Sequence, residues 1–105
     1  MSALIWCPFP DRAAAEAVAG QLLEEQLVAC ANLLDGVASL FVWNGERGNA
    51  IECGALFKTD ANTLERAVAR LEHLHPYDAP AIMGWRVDAP GRATAAWLRE
   101  ETGPR

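Results

Sequence analysis

The sequence has no cluster of basic residues and no long apolar run. Nine Lys and Arg stand against 14 Asp and Glu, for a net charge of −5. A nucleic-acid surface needs basic groups that neutralise phosphates, so we expect no nucleic-acid partner. The apolar runs are also much shorter than the roughly 20 residues of a membrane-spanning helix, so we expect no membrane partner. The first residues carry no basic leader, and we expect them to be mature sequence.

The sequence also lacks a paired-cysteine pattern. Its three cysteines, Cys7, Cys30 and Cys53, are odd in number and widely spaced, and no Cys-x-x-Cys motif occurs. This spacing argues against a disulfide framework and against a structural zinc knuckle. Reduced, buried thiols of this kind are typical of cytoplasmic proteins, and we expect a soluble cytoplasmic protein. For Cys30 and Cys53 we expect packing roles.

What the sequence does contain is enough apolar material for one core. Hydrophobic residues make up 51% of the 105 residues, with no low-complexity tract. Two separate cores would be too small to be stable at this length. We therefore expect a single domain over residues 1–105.

Apolar runs and breakers predict four strands and three helices. We expect strands near residues 4–7, 27–43, 51–58 and 81–87, and helices near 12–26, 62–75 and 93–101, the second ending before Pro76. Asp11 is a candidate N-cap for the first helix, and Asn62 with Glu65 resembles a capping box, with Asp60 as a rival cap. Asn44-Gly45 is a strong hairpin signal. The order predicts an α+β, ferredoxin-like βαββαβ sandwich with a long central hairpin and a C-terminal helix.

The predicted hairpin is more apolar than one helix layer can cover. Leu40-Phe41-Val42-Trp43 runs directly into its turn. An uncovered, strand-rich hairpin needs a partner, and a symmetric oligomer is the simplest source of one.

Five segments resemble the CutA divalent-cation tolerance family. They keep the family's order and spacing along nearly the whole chain: Leu-Val-Ala-Cys-Ala-Asn from Leu27, Ser-Leu-Phe-Val-Trp-Asn-Gly from Ser39, Glu52 with Lys58-Thr59, His-Pro-Tyr-Asp-Ala-Pro from His75, and Trp97-Leu98. The resemblance implies a ferredoxin-like protomer similar to PII-type regulatory proteins, assembled as a homotrimer whose long hairpins pair across subunits. It also implies a role in tolerance of divalent metals, copper above all, and no enzymatic activity.

The chain departs from the family pattern at several positions. Glu46 stands where a basic residue is usual, although Arg47 is adjacent; Ala81 replaces an acidic residue, and Asp78 replaces a longer glutamate. His73 is displaced by one position from the family's paired histidines, with Leu74 in its place. The fold is therefore better supported by the resemblance than any particular ligand site.

Cys7 and His75 are the candidate metal ligands: Cys7 falls where some relatives have a cysteine, and His75 matches the last histidine of the family pattern. A thiolate and an imidazole suit copper(II) or zinc, and copper(II) is the expected ion. His73 and Asp78 are further donors nearby. The competing interpretation is that His75 is a buried ring, hydrogen-bonded at a corner of the chain. A cysteine hydrolase is disfavoured, because Pro8 removes the backbone amide that an oxyanion hole would need next to Cys7.

A second hypothesis is a PII-like module that binds a small metabolite between subunits and signals to a partner protein. The residues expected near such a cleft are Trp43, Glu52, Lys58, Tyr77 and Asp78. Each has a simpler interpretation as well. Lys58 and Glu52 would form an ion pair on the hairpin, and Trp43 would be a packing anchor of the trimer.

Overall fold

The computed structural model describes residues 1–104. Its elements follow in the order β1 (Ser2–Phe9), α1 (Arg12–Glu24), β2 (Cys30–Trp43), β3 (Glu46–Asp60), α2 (Leu64–Leu74), β4 (Met83–Arg86) and α3 (Arg92–Thr102). The strands form one antiparallel sheet in the order β2-β3-β1-β4. The predicted α+β ferredoxin-like order with a trailing helix is therefore confirmed. No helix among the described residues is both long and apolar enough to cross a bilayer.

Strand β1 forms the centre of the core. Its alternate residues Ala3, Ile5, Cys7 and Phe9 are fully buried and pack with apolar side chains of α1 and α2. The strand continues through Pro8, where the sequence predicted a stop. Proline is tolerated on an unpaired edge, and β4 pairs only with residues 3–6 of β1, so one edge is free at Pro8.

The opposite face of the sheet is open. Residues at even positions of β1 and β3 point to this side, away from the two core helices. Leu34, Met83 and Trp85 are 50%, 67% and 45% exposed there. We call this apolar surface the open face.

The β2–β3 hairpin extends well beyond the rest of the sheet. β1 ends at Phe9, which pairs with Cys53, whereas β2 pairs with β3 out to Trp43 and Glu46. An extra residue bulges from β2 between Leu34 and Val37. We call residues 37–51 beyond this bulge the arm. The predicted Asn44-Gly45 turn is confirmed, with φ of 52° and 79°.

The helix caps agree with the sequence at α1 and differ at α2. The Asp11 carboxylate accepts a hydrogen bond of 2.8 Å from the Ala14 amide, as predicted. The predicted Asn62–Glu65 capping box is wrong: Thr63 is the N-cap, and its hydroxyl donates to the carbonyl of Thr102 instead of capping the helix. The reason is tertiary, because α3 ends against the start of α2 and takes up that hydroxyl.

Candidate functional site

The corner that follows α2 places His75 against the end of β1. The helix ends at Leu74, before Pro76 as predicted, and His75 takes an extended backbone. Its ring stacks on Phe9 with centroids 4.4 Å apart and is only 7% exposed. The corner is thus held by packing as well as by its prolines.

Both nitrogens of the His75 ring are bound to backbone groups. Nδ1 accepts a hydrogen bond of 3.0 Å from the Tyr77 amide, and Nε2 lies 2.9 Å from the carbonyl oxygen of Pro8. An amide can only donate and a carbonyl can only accept, so the ring is neutral with its proton on Nε2. Burial lowers the pKa of His75, against the opposing effects of the Pro8 hydrogen bond and the Glu52 charge.

Cys7 lies close to the same carbonyl. Its Sγ is 3.6 Å from the Pro8 oxygen, and the residue has no exposed surface. Burial, with a smaller contribution from the Glu52 charge, raises the pKa of the Cys7 thiol to about 12. The thiol is therefore protonated at neutral pH and is not a ready nucleophile or metal ligand.

The structure places the two predicted metal ligands close together, but both side chains already have partners within the protein. Cys7 and His75 share the Pro8 oxygen as a neighbour, so their pairing in the sequence prediction corresponds to a real proximity. His73, in the last turn of α2, and Asp78 are both exposed. Among residues 1–104, no three His, Cys, Asp or Glu side chains group as a metal site would require. The corner interpretation of His75 accounts for all of its contacts.

Glu52 and Tyr77 form the second part of the site. The Tyr77 hydroxyl donates to Glu52 Oε2 at 2.7 Å. Glu52 is 8% exposed and Tyr77 is 37% exposed. Burial, the hydrogen bond and the charge of Glu52 together raise the pKa of Tyr77 to about 12. The two residues tie the corner to the base of the arm.

The other residues expected at a cleft lie apart in the single chain. Trp43 is 57% exposed at the tip of the arm, paired with Glu46. Lys58 is half-buried between Cys30 and Leu4. Lys58 is six positions from Glu52 along β3, which corresponds to about 20 Å, so the ion pair predicted within the hairpin is wrong.

Sequence reasoning missed two residues of this site. The Pro8 carbonyl and the Phe9 ring are the main partners of His75, yet they are 67 and 66 residues away along the chain. In the sequence Pro8 indicates a strand end, and this signal conceals its position beside the corner. An aromatic residue in alternation with Cys7 on a buried strand was the one available signal.

Fold and site together define a small ferredoxin-like module with an open apolar sheet face and a polar corner at the base of a long arm. The CutA1 divalent ion tolerance protein family matches residues 3–101, and the chain belongs to this family. The CutA divalent-cation tolerance protein of Pyrococcus horikoshii is 40% identical over 99 residues, covering 94% of this chain and 96% of that protein. Its Thermus thermophilus counterpart is 33% identical over 103 residues, covering 98% and 100%.

Solved structures agree with this assignment. The Thermus thermophilus Cut A1 structure superposes with a TM-score of 0.91 at 33% identity, covering 98% of this chain and 100% of that chain. CutA1 from Pyrococcus horikoshii superposes with a TM-score of 0.88 at 38% identity, covering 95% and 97%. A periplasmic divalent cation tolerance protein CutA from Archaeoglobus fulgidus gives 0.90 at 26% identity, covering 97% and 99%.

Proposed function

We propose that this protein acts in divalent-cation tolerance as a non-catalytic homotrimer in the cytoplasm. The relatives named above are divalent-cation tolerance proteins. The three free cysteines suit a reducing compartment. Fractionation of cells that express the chain at native level tests this location; recovery outside the cytoplasm contradicts it.

The observation that carries the proposal is the amount of apolar surface left uncovered. On the arm, Leu40, Val42 and Ile51 are 74%, 68% and 69% exposed, in addition to the residues of the open face. By the register of β2 and β3, these three arm residues lie on the side of the hairpin opposite to the open face, so exposed apolar surface occurs on both sides. Large exposed apolar patches mark a protein interface. The arm also leaves one edge of β3 unpaired beyond Cys53, and a neighbouring chain can add a strand there.

The assembly is tested by light scattering on the protein as it elutes from a sizing column. A mass three times the 11.4 kDa of the chain supports the trimer. A mass of one chain contradicts it, and a mass of two chains contradicts the threefold arrangement.

Direct binding of copper(II) by Cys7 and His75 is the finer part of this proposal. Their shared position at the Pro8 carbonyl supports the pairing, but a metal ion would have to displace the thiol proton and a backbone hydrogen bond of the ring. Binding would therefore be coupled to opening of the corner.

Calorimetric titration of copper and zinc into the native protein, Cys7→Ser and His75→Ala tests this step. We expect a saturable copper site that both substitutions weaken, whereas His73→Ala, an exposed histidine close by, leaves it intact. Unchanged binding in both variants removes Cys7 and His75 as ligands.

A further inference from the structure

Glu52 is a nearly buried carboxylate that has no positive partner among residues 1–104. It is 8% exposed, and within these residues its side chain accepts a hydrogen bond from the hydroxyl of Tyr77. No Lys, Arg or His nitrogen among residues 1–104 forms a salt bridge with it. A buried charge of this kind is costly unless a cation compensates it.

Lys58 is the complementary case. It is the chain's single lysine and lies half-buried on the open face, flanked by Leu4 and Cys30, with no ion pair to any described acid. The even spacing of residues 52 and 58 places both side chains on the same side of β3, about 20 Å apart. Any chain that covers the open face buries this ammonium further and must supply a carboxylate.

We infer that Lys58 of one copy of this chain pairs with Glu52 of a second copy across the assembly interface. This inference rests on the self-assembly proposed above and adds the residues that direct it. Exposed arginines such as Arg47 and Arg86 stay hydrated and do not need a partner, whereas Glu52 and Lys58 both do.

The arrangement also determines the kind of contact. The patch that contains Glu52 on one copy meets a different patch, which contains Lys58, on the next copy. Such an interface is heterologous, and it closes into a ring when the rotation between neighbouring copies permits. A metal ion is a poorer occupant of the Glu52 position, because one carboxylate and one phenol supply fewer oxygen ligands than a hard cation requires.

A double-mutant cycle on subunit exchange tests the pair. Glu52→Gln keeps an acceptor for Tyr77, and Lys58→Met keeps the apolar stem of the side chain. We expect each single variant to speed exchange between differently labelled assemblies by on the order of tenfold or more. The double variant should exchange no faster than the faster single variant, because the pair is already lost. Arg47→Gln is the matched control. When it is combined with Glu52→Gln, the two effects on the exchange rate should multiply, as expected for independent sites.

The other possible results contradict the pair between Lys58 and Glu52, and they can be distinguished from one another. If the effects of Glu52→Gln and Lys58→Met on the exchange rate multiply in the double variant, the pair is overturned and the trimer proposal stays intact. An exchange rate in the native protein that rises on treatment with EDTA, or after dialysis into a buffer free of small amines, assigns the cation to a ligand instead. A native protein of single-chain mass overturns the assembly, and the pair with it. Far-UV circular dichroism of each variant establishes that the protomer remains folded.

Discussion

At the scale of single residues, the His-Pro-Tyr-Asp-Ala-Pro corner is held by a neutral imidazole. One ring nitrogen of His75 accepts a hydrogen bond from a backbone amide, and the other donates one to a backbone carbonyl. The sequence predicted the corner from its two prolines, which restrict the chain locally. It could not predict Pro8 and Phe9 as partners, because that contact depends on how α2 lies against β1.

Replacing His75 by alanine should lower the free energy of unfolding by about 2–3 kcal/mol, because the Pro8 carbonyl and the Tyr77 amide lose their partner and Phe9 loses its stacked ring. His73→Ala, two residues earlier and exposed, should change it by less than about 0.5 kcal/mol. Urea unfolding followed by circular dichroism measures both. Equal effects would show that the corner gains nothing from the buried ring.

The lowered pKa of His75 predicts a pH dependence of stability. Below about pH 6.5 the unfolded chain takes up a proton that the folded ring resists, so the unfolded state binds more protons. The free energy of unfolding should therefore be fully retained above pH 6.5 and fall as the pH drops from 6.5 toward the folded pKa. The charge of Glu52 opposes this lowering of the His75 pKa without reversing it.

Unfolding measured between pH 7.5 and 5.5 checks this dependence. The slope should largely disappear in His75→Ala. A slope that remains unchanged in the variant would assign it to another group.

At the scale of elements, local signals predicted the helix starts and turns where no distant element interferes. Asp11 caps α1 and Asn44-Gly45 turns the hairpin as the sequence indicates. The prediction failed at Thr63, whose hydroxyl is taken by the end of α3, and at Pro8, which lies where β1 has a free edge. Both failures come from contacts between elements distant in sequence.

Two glycines of β3 provide a test of packing across strands. A Cβ at Gly54 would lie 2.2 Å from Cη2 of Trp6, and a Cβ at Gly48 would lie 2.6 Å from Cε1 of Phe41. Gly54→Ala should cost about 1–3 kcal/mol, because it lifts the indole away from the sheet. Gly48→Ala should cost less, since the Phe41 ring is 45% exposed and can move into solvent.

Urea unfolding of both variants, and of Gly54→Ala combined with Trp6→Leu, measures these costs. The combined change should cost less than the sum of its parts, because the clash is removed with the indole. A strictly additive result would contradict the contact with Trp6.

At the scale of the whole molecule, the sequence predicted that the hairpin is too apolar for one chain to cover. The structure has that exposed arm and, in addition, an open sheet face that the sequence did not single out. Alternation alone cannot tell which face of a sheet the helices cover when both faces are apolar. Residues such as Trp6 and Trp85 therefore gave no warning of an uncovered face.

Leu34→Glu should convert the assembly to single chains, because it places a charge on the open face, where Leu34 is 50% exposed. Leu23→Glu is the matched control: Leu23 is 42% exposed, but it lies on α1, on the opposite side of the sheet. Light scattering on both variants distinguishes them. Retention of the native mass in Leu34→Glu would show that the open face is not an interface.

The length of the arm has a thermodynamic consequence. In the proposed trimer the apolar side chains of the arm are covered only by neighbouring chains, so the arm contributes little to the folding of an isolated chain. Part of the stabilising free energy would then be a mass-action term. The midpoint of thermal unfolding should then rise with total protein concentration, and measurements made at high dilution will report a less stable protein than the one at work in a cell.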